Sequence, residues 1–351
     1  MPTSRARILA ALQHCTCDRI PICECDIWPE TIKRWESEGF PPDTDPRDYF
    51  GLDKIDQAGR IDSSFFPHEI YEDNAEYCVD LNGEGTVVKW YKDNNYARGH
   101  MELYHRVQTI HDWRAARERL TVTADRLKSF PVADDHFTKF GATDHFWMSF
   151  KMCGMENLCC WLLTAPDEMS AIYASYTDYL LKMLDLAVEK QIAFDALWFF
   201  SDMAYCSGPM VAPETFRAVI APSYLRFREW CTKHKKWFFL HTDGNINLLL
   251  PELIAVGFDL VHPLEARAGN DVRTIKAKYG DKITLMGNIN ADILAKGDLA
   301  EIEDEIASKI TVAKQNGGYI YNIDHSVPPT ISFDVYSRAI QWIKQYGAFG
   351  S

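Results

Sequence analysis

Two patterns of apolar positions alternate along the second half of the chain. Short continuous apolar runs, typical of strands buried on both faces, are separated by stretches with apolar residues three and four positions apart, typical of amphipathic helices. The predicted strands are Ala196 to Phe200, Trp237 to Thr242, Leu260 to Pro263, Ile283 to Gly287 and Tyr319 to Asn322. The predicted helices are Pro213 to Cys231, Ile246 to Ala255, Val272 to Tyr279, Leu299 to Gln315 and Phe333 to Tyr346. This alternation predicts right-handed βα units around a parallel sheet.

The N-terminal half has a less regular pattern. Its predicted elements are a helix at Arg5 to Gln13, a strand at Arg19 to Glu24 and a helix at Pro29 to Glu38. Between about Val79 and His105, alternating apolar residues around Asn94-Asn95 predict a hairpin or a small antiparallel insertion. We find no long linker and no internal repeat. We therefore expect a single domain over residues 1–351, an α/β fold of the (β/α)₈ TIM-barrel class with an N-terminal extension.

Composition narrows the classes of protein that the chain can represent. Of its 351 residues, 47% are hydrophobic and 25% are charged, which is typical of a globular protein with a large core. The formal net charge of −13 disfavours binding to nucleic acid or to anionic membranes, since both require basic surface. No apolar run is long enough for a signal peptide or a membrane span, so we expect a cytoplasmic protein whose ten cysteines are reduced.

Polar residues follow the predicted strands at positions where a barrel enzyme carries its chemistry, because catalytic residues lie at the carboxyl ends of barrel strands. The candidates are Asp202, His241, Asp243, Glu265 and His325. His241 and Asp243 are two residues apart and share a face if the strand continues. A histidine beside a carboxylate can bind Zn²⁺ or transfer protons, so a zinc site and a metal-free acid/base site both stay open.

The same strand ends resemble those of the uroporphyrinogen decarboxylase superfamily. The superfamily includes the haem-pathway decarboxylase and corrinoid-dependent methyltransferases, all built on one (β/α)₈ barrel. The similar segments are Arg7 to Leu12 with Asp18 to Pro21, Ser201-Asp202, Pro213-Glu214, Ala221-Pro222, His241 to Asn245, Gly287 to Ile289, Gly317 to Tyr319 and His325 to Pro329. They extend over nearly the whole chain.

One departure from the family pattern concerns the decarboxylases. These enzymes carry an N-terminal Met-Arg-Gln-Ala-Gly-Arg segment whose arginines hold the carboxylates of the substrate. The corresponding region here runs from Cys23 to Pro29 and contains Glu24 and Asp26 but no arginine. Because a tetrapyrrole with many carboxylates needs positive partners in a buried cleft, this replacement argues against porphyrinogen decarboxylation.

A second departure concerns the zinc methyltransferases of the superfamily. They place His-x-Cys at one strand end and a later cysteine before Ile-Pro-Pro, whereas this chain has His241 and Asp243 at the first place and His325 at the second. The resemblance therefore implies zinc bound by His241, Asp243 and His325, with Glu265 as a possible fourth ligand. Such ligands are harder than thiolates, which suits polarisation of a methyl ether or hydroxyl oxygen.

The resemblance implies a zinc-dependent methyltransferase that passes a methyl group from a small methylated substrate to a corrinoid on a separate partner protein. In this reading Asp202, His241, Asp243 and His325 are the catalytic residues, and Asp202 orients the substrate or transfers a proton. Two alternatives stay open. One is a metal-independent decarboxylase that uses Asp202 and His325 for protonation, and the other is a non-catalytic binding barrel. Superfamily members are often dimers, so a homodimer is also expected.

Overall fold

A computed structural model of the chain describes residues 2–92 and 100–350. The helices are α1 (Ser4–Leu12), α2 (Pro29–Ser37), α3 (Pro46–Phe50), α4 (Ile110–Ala116), α5 (His145–Thr164), α6 (Pro166–Glu189), α7 (Pro213–Thr215), α8 (Ala221–His234), α9 (Leu250–Ala255), α10 (Val272–Tyr279), α11 (Ala291–Lys296), α12 (Leu299–Ala313) and α13 (Phe333–Gly347). The strands are β1 (Ile55–Ile61), β2 (Glu69–Asp73), β3 (Tyr77–Leu81), β4 (Thr86–Tyr91), β5 (Met101–His105), β6 (Leu127–Ser129), β7 (Phe137–Thr143), β8 (Ala196–Phe200), β9 (Ala204–Tyr205), β10 (Gly208–Pro209), β11 (Trp237–His241), β12 (Leu260–His262), β13 (Thr284–Met286) and β14 (Tyr319–Ile320).

One large sheet organises the fold. Its eight strands lie in the order β14, β13, β12, β11, β8, β7, β1, β6, and every neighbouring pair is parallel except β1 with β6. Phe238, Phe239 and Leu240 on successive positions of β11 are all fully buried, because helices cover the outer face and side chains fill the inner one. The predicted βα alternation in the second half of the chain is confirmed.

The predicted helix from Pro213 to Cys231 is interrupted. A π-helical turn over Phe216–Ile220 separates α7 from α8, just before Pro222. Proline lacks an N–H group, and its ring collides with the carbonyl group four residues earlier in a regular α-helix. The wider π turn accommodates Pro222 without ending the helix.

The predicted antiparallel insertion is confirmed and is larger than expected. Strands β2, β3, β4 and β5 form a separate four-stranded antiparallel sheet that begins at Glu69. The Asn94-Asn95 turn predicted within it lies outside the described residues. No helix in the described ranges is both long and apolar enough to cross a membrane.

The segment predicted as the first strand, Arg19 to Glu24, makes isolated bridges instead of a continuous ladder. Cys23 donates its N–H to the Tyr321 carbonyl at 3.0 Å, and Tyr321 donates to the Pro21 carbonyl at 2.9 Å, in a parallel arrangement. On the other side, Asp53 donates its N–H to the Ile22 carbonyl at 2.7 Å. Residues 21–23 therefore lie between the segment that follows β14 and the residues that precede β1.

The buried carboxylate of Asp53 stabilises this arrangement. Its side chain is 1% exposed and pairs with Arg7 at 3.0 Å and with Arg19 at 2.5 Å. It also accepts the Ile22 N–H at 2.9 Å. A buried carboxylate is tolerated only when its charge is paired and its oxygens are hydrogen-bonded. The contacts of Asp53 connect α1 and residues 19–22 to the start of β1.

We predict that Asp53→Asn lowers the free energy of unfolding by about 3 kcal/mol, because two arginines then lose a buried anionic partner. Denaturant titration followed by circular dichroism measures the change. Asp134→Asn is the matched control, since Asp134 is exposed and forms no ion pair with any described residue. Equal stability of the two variants would contradict the role given to Asp53.

Candidate active site

A cavity of about 690 Å³ lies at the carboxyl ends of the parallel strands. The final residues of five strands line it: Ile61, Thr143, Phe200, His241 and His262. His325 and Asp243 line the same cavity. Its volume suits a small organic ligand, and its position is the one at which barrel enzymes carry their active sites.

Asp202, His241 and Asp243 form a cluster in this region that we call the acidic triad. His241 Nε2 lies 3.8 Å from Asp202 Oδ1 and 3.8 Å from Asp243 Oδ1. One potential metal-binding atom from each residue lies within 4.8 Å of the other two. The N–H of Asp243 also donates to Asp202 Oδ1 at 3.2 Å. The structure therefore brings together three of the residues predicted from strand ends.

The orientation of His241 follows from the register of its strand. Parallel pairing sets His241 beside Phe200 of β8 and His262 of β12. The Phe200 ring stacks on the His241 ring at a centroid distance of 4.4 Å and an angle of 11°. On the other side, His241 Nδ1 and His262 Nδ1 share a hydrogen bond of 2.8 Å. These two contacts direct Nε2 towards the two carboxylates.

Asp243 owes its position to a tight turn at Gly244. The φ angle of Gly244 is +83°, and a Cβ atom at this position would lie 2.3 Å from the carbonyl oxygen of Ala204. The Gly244 N–H donates to Glu265 Oε2 at 2.8 Å, and Glu265 Oε1 accepts from Arg267. Both oxygens of Glu265 therefore have partners, and one of them holds the turn. Among the candidates named from the sequence, Asp202 rather than Glu265 approaches His241 and Asp243.

His325 lies in the same cavity but outside the acidic triad. Its ring is half-buried and meets the Trp28 ring edge-on, with centroids 6.5 Å apart. Its charge contributes to lowering the pKa of Asp243. His325 therefore lies near enough to the acidic triad to act on Asp243, and its place in the cavity wall allows it to contact a bound ligand.

The two carboxylates of the acidic triad differ in their affinity for protons. Burial raises the pKa of Asp202 above its ordinary value. Burial also acts on Asp243, but His241, His325 and Arg267 outweigh it, so the pKa of Asp243 lies below its ordinary value. Two neighbouring carboxylates with opposite shifts can serve as a proton donor and a permanent anion.

His262 is a site residue that the sequence placed at a strand end, beside Glu265, but to which it assigned no role. It is 1% exposed, and burial lowers its pKa well below the ordinary value while the nearby Asn322 amide opposes that shift. His262 Nε2 and Asn322 Oδ1 are both buried and have no hydrogen bond of ordinary length within the described part of the chain. Its place at the end of β12, in register with His241, is the feature that could have identified it as a site residue.

Comparison with known proteins identifies the family. Residues 146–346, more than half of the chain, match the family model described as uroporphyrinogen decarboxylase (URO-D). The chain therefore belongs to the uroporphyrinogen decarboxylase family. A search of curated proteins found no match.

Comparison with solved structures found two similar chains, of which the first supports the fold. A methyltransferase from Methanosarcina mazei is similar with a TM-score of 0.62 and 15% identity, over 99% of this chain and 100% of that one. A B12-independent methionine synthase from Shewanella sp. W3-18-1, in complex with selenomethionine, has a TM-score of 0.41 and 11% identity, over 85% of this chain and 83% of that one. At 15% identity, the first similarity shows a shared α/β fold and leaves the reaction to be argued from the site.

We predict that the metal-free protein takes up one Zn²⁺ per chain and that His241→Ala and Asp243→Asn each weaken zinc binding at least about 10-fold. Titration against a chromogenic zinc chelator measures the affinity. Asp62→Asn is the matched control, because Asp62 lines the same cavity but does not belong to the acidic triad. Equal zinc affinity in all four proteins would exclude the acidic triad as the site.

Proposed function

We propose that this chain is a zinc-dependent methyltransferase that passes a methyl group from a small methylated substrate to a corrinoid carried by a separate protein. The observation that carries the proposal is the acidic triad at the carboxyl ends of the parallel strands. The family and the methyltransferase of similar fold support this choice of chemistry. A cytoplasmic location and a homodimer stay predictions.

We further propose that the sheet closes into a (β/α)₈ barrel and that residues 1–351 form one domain. Residues 21–23 supply the missing strand, since their backbone hydrogen bonds reach Tyr321 on one side and Asp53 on the other. An eight-stranded parallel barrel then places the end of this segment, including Cys25, at the same cavity as His241.

The acidic triad fits a zinc ion in its donors and spacing. Nitrogen and carboxylate oxygen are ordinary zinc ligands, and a tetrahedral site with bonds of about 2.1 Å separates its ligand atoms by about 3.4 Å. The separations of 3.8 Å between His241 Nε2 and each carboxylate are close to that value. Asp243 Oδ1 is buried and forms no hydrogen bond with any described residue, so one oxygen is available for a cation.

The hydrogen bond between His241 Nδ1 and His262 Nδ1 is compatible with the tautomer that metal binding needs. If His241 Nδ1–H donates to His262 Nδ1, then His241 Nε2 carries a lone pair that faces Asp202 and Asp243. His262 then carries its proton on Nε2, with the Asn322 oxygen as its neighbour. A hydrogen bond at the ring nitrogen that does not bind the metal fixes the ring orientation of a metal-binding histidine.

In the proposed mechanism His241 and Asp243 would hold the metal, and His325 would complete the ligand set or contact the substrate. When bound, zinc supplies a Lewis acid that polarises the heteroatom of the methylated group. Asp202 would remain outside the ligand set. Burial raises its pKa, which favours the protonated carboxyl group, and Asp202 would donate this proton to the heteroatom as the bond to the methyl group breaks. Phe200 and Trp198 form apolar parts of the cavity wall.

Decarboxylation is a second candidate, favoured by one observation. Burial raises the pKa of Asp202, and a protonated carboxyl group can deliver a proton to the carbanion that remains when carbon dioxide leaves. In this reaction Asp202 and His325 act without a metal. The products distinguish the candidates, because only decarboxylation releases carbon dioxide.

We predict that the zinc-loaded protein transfers methyl groups to free cob(I)alamin from at least one member of a panel of methyl ethers, methanol and methylamines. Absorbance spectroscopy measures the formation of methylcobalamin. We expect Asp202→Asn to lower the rate by roughly 100-fold or more, because the variant cannot donate a proton. Asp134→Asn, which changes an exposed residue outside the cavity lining, should keep the rate. Carbon dioxide release from carboxylic acids, without methyl transfer from any panel member, would support the decarboxylase instead.

A further inference from the structure

Two basic side chains reach the cavity from the side formed by β1 and β7. They are Arg60 on β1 and Lys139 on β7. Lys139, Gly141 and Thr143 alternate along β7 and all line the cavity, which shows that this face of the strand points inward. Arg60 is exposed and Lys139 is half-buried, so Lys139 is the more deeply placed of the two cations.

Lys139 lies on an aromatic ring but has no anionic partner among the described residues. Its Nζ is 4.2 Å from the centroid of the Trp198 ring. Trp198 is 6% exposed and belongs to the buried cluster that contains Phe239. Neither Lys139 nor Arg60 makes a side-chain hydrogen bond or an ion pair with any residue in the ranges 2–92 and 100–350. The ring attracts the ammonium group but cannot replace the hydrogen bonds that water or a carboxylate would supply.

The carboxylates that line this cavity have other partners. Asp62 accepts the Ser64 N–H at 2.9 Å, and Asp243 faces His241. Burial raises the pKa of Cys25 and lowers the pKa of His262. The positive charge of Lys139 opposes the first shift and adds to the second, so this charge acts within the cavity. The Lys139 ammonium group has three donors, finds no acceptor within the part of the chain that the structure describes, and lies beside a cavity of about 690 Å³. It is therefore arranged to meet an anionic ligand.

We propose that the cavity takes a small organic anion and that Lys139 binds its carboxylate group. The opposite end of the ligand then reaches the acidic triad, whose negative charge repels a second carboxylate and so sets the orientation. Arg60, nearer to solvent, attracts the incoming anion. The inference rests on the proposed function in one respect, which is that this cavity is the substrate site. Binding of the carboxylate group by Lys139 needs no bound metal.

The test compares acids with their neutral amides. Isothermal titration calorimetry measures the affinity of methoxyacetate, acetate and butyrate, each beside its primary amide, for protein kept metal-free with a chelator so that no carboxylate can bind zinc. We expect the wild type to bind at least one acid roughly 10- to 100-fold more tightly than its amide, the range of a charge-assisted hydrogen bond.

Two Lys139 variants and one control variant show whether Lys139 causes the preference for an acid over its amide. Lys139→Met keeps the apolar stem on Trp198 and should lose the preference, whereas Lys139→Arg keeps the charge and should retain it. Lys89→Met is the matched control, because Lys89 Nζ also lies over an aromatic ring, 3.5 Å from the Tyr77 centroid, but in the antiparallel sheet. Melting curves establish that each variant is folded.

Three results would overturn the proposal: no acid binds the wild type, acid and amide bind equally, or Lys139→Met keeps the preference. The proposed methyl transfer is judged separately, by zinc binding and methylcobalamin formation. Acid selectivity that depends on Lys139 in a protein without methyl transfer would keep the anion site and reject the methyltransferase. Methyl transfer from neutral substrates alone, with no acid selectivity, would keep the methyltransferase and reject the anion site.

Discussion

The parallel pairing of β11 with β8 and β12 is the constraint on which the candidate active site depends. It sets Phe200, His241 and His262 side by side as the last residues of three adjacent strands. Phe200 covers one face of the His241 ring, and His262 occupies its Nδ1 atom, so Nε2 faces the two carboxylates. A shift of one residue in the register of β11 would turn His241 to the opposite face of the sheet and abolish the cluster.

The sequence predicts correctly those strands and strand-end residues that depend only on the local pattern of apolar and polar positions. The apolar runs of β8 and β11 are continuous, and Asp202, His241 and Asp243 follow from their ends. It does not predict that Asp202, rather than Glu265, lies beside His241 and Asp243. That choice depends on the Gly244 turn, where Glu265 accepts the backbone N–H from a position 21 residues away in the chain.

The N-terminal half was harder to predict because polar residues interrupt its strands. β1 has the sequence IDQAGRI and β7 the sequence FTKFGAT, and neither contains a continuous apolar run. The interruptions at Gln57, Arg60 and Lys139 line the cavity. The residues that obscure the strands in the sequence are thus those that give the cavity its polar side, as expected where function overrides local consistency.

The departure from the decarboxylase pattern near Glu24 acquires a structural explanation. The Glu24 carboxylate accepts hydrogen bonds from Tyr321 at 3.0 Å and Tyr336 at 2.9 Å, and burial raises the pKa of Glu24 to about 7. Glu24 does not line the cavity, whereas Cys25 does. The acidic residue therefore holds the N-terminal segment against its neighbours. The positive charge available to a substrate comes from Lys139 and Arg60 on other strands.

The central claim is that a hard set of nitrogen and oxygen atoms, without thiolate, holds a zinc ion at the carboxyl ends of the strands. X-ray absorption spectroscopy of the zinc-loaded protein tests it most directly. The account predicts nitrogen and oxygen neighbours at about 2.0 to 2.2 Å, with scattering from at least one imidazole ring. A sulfur neighbour at about 2.3 Å, which Cys25 on the same cavity wall could supply, would contradict it.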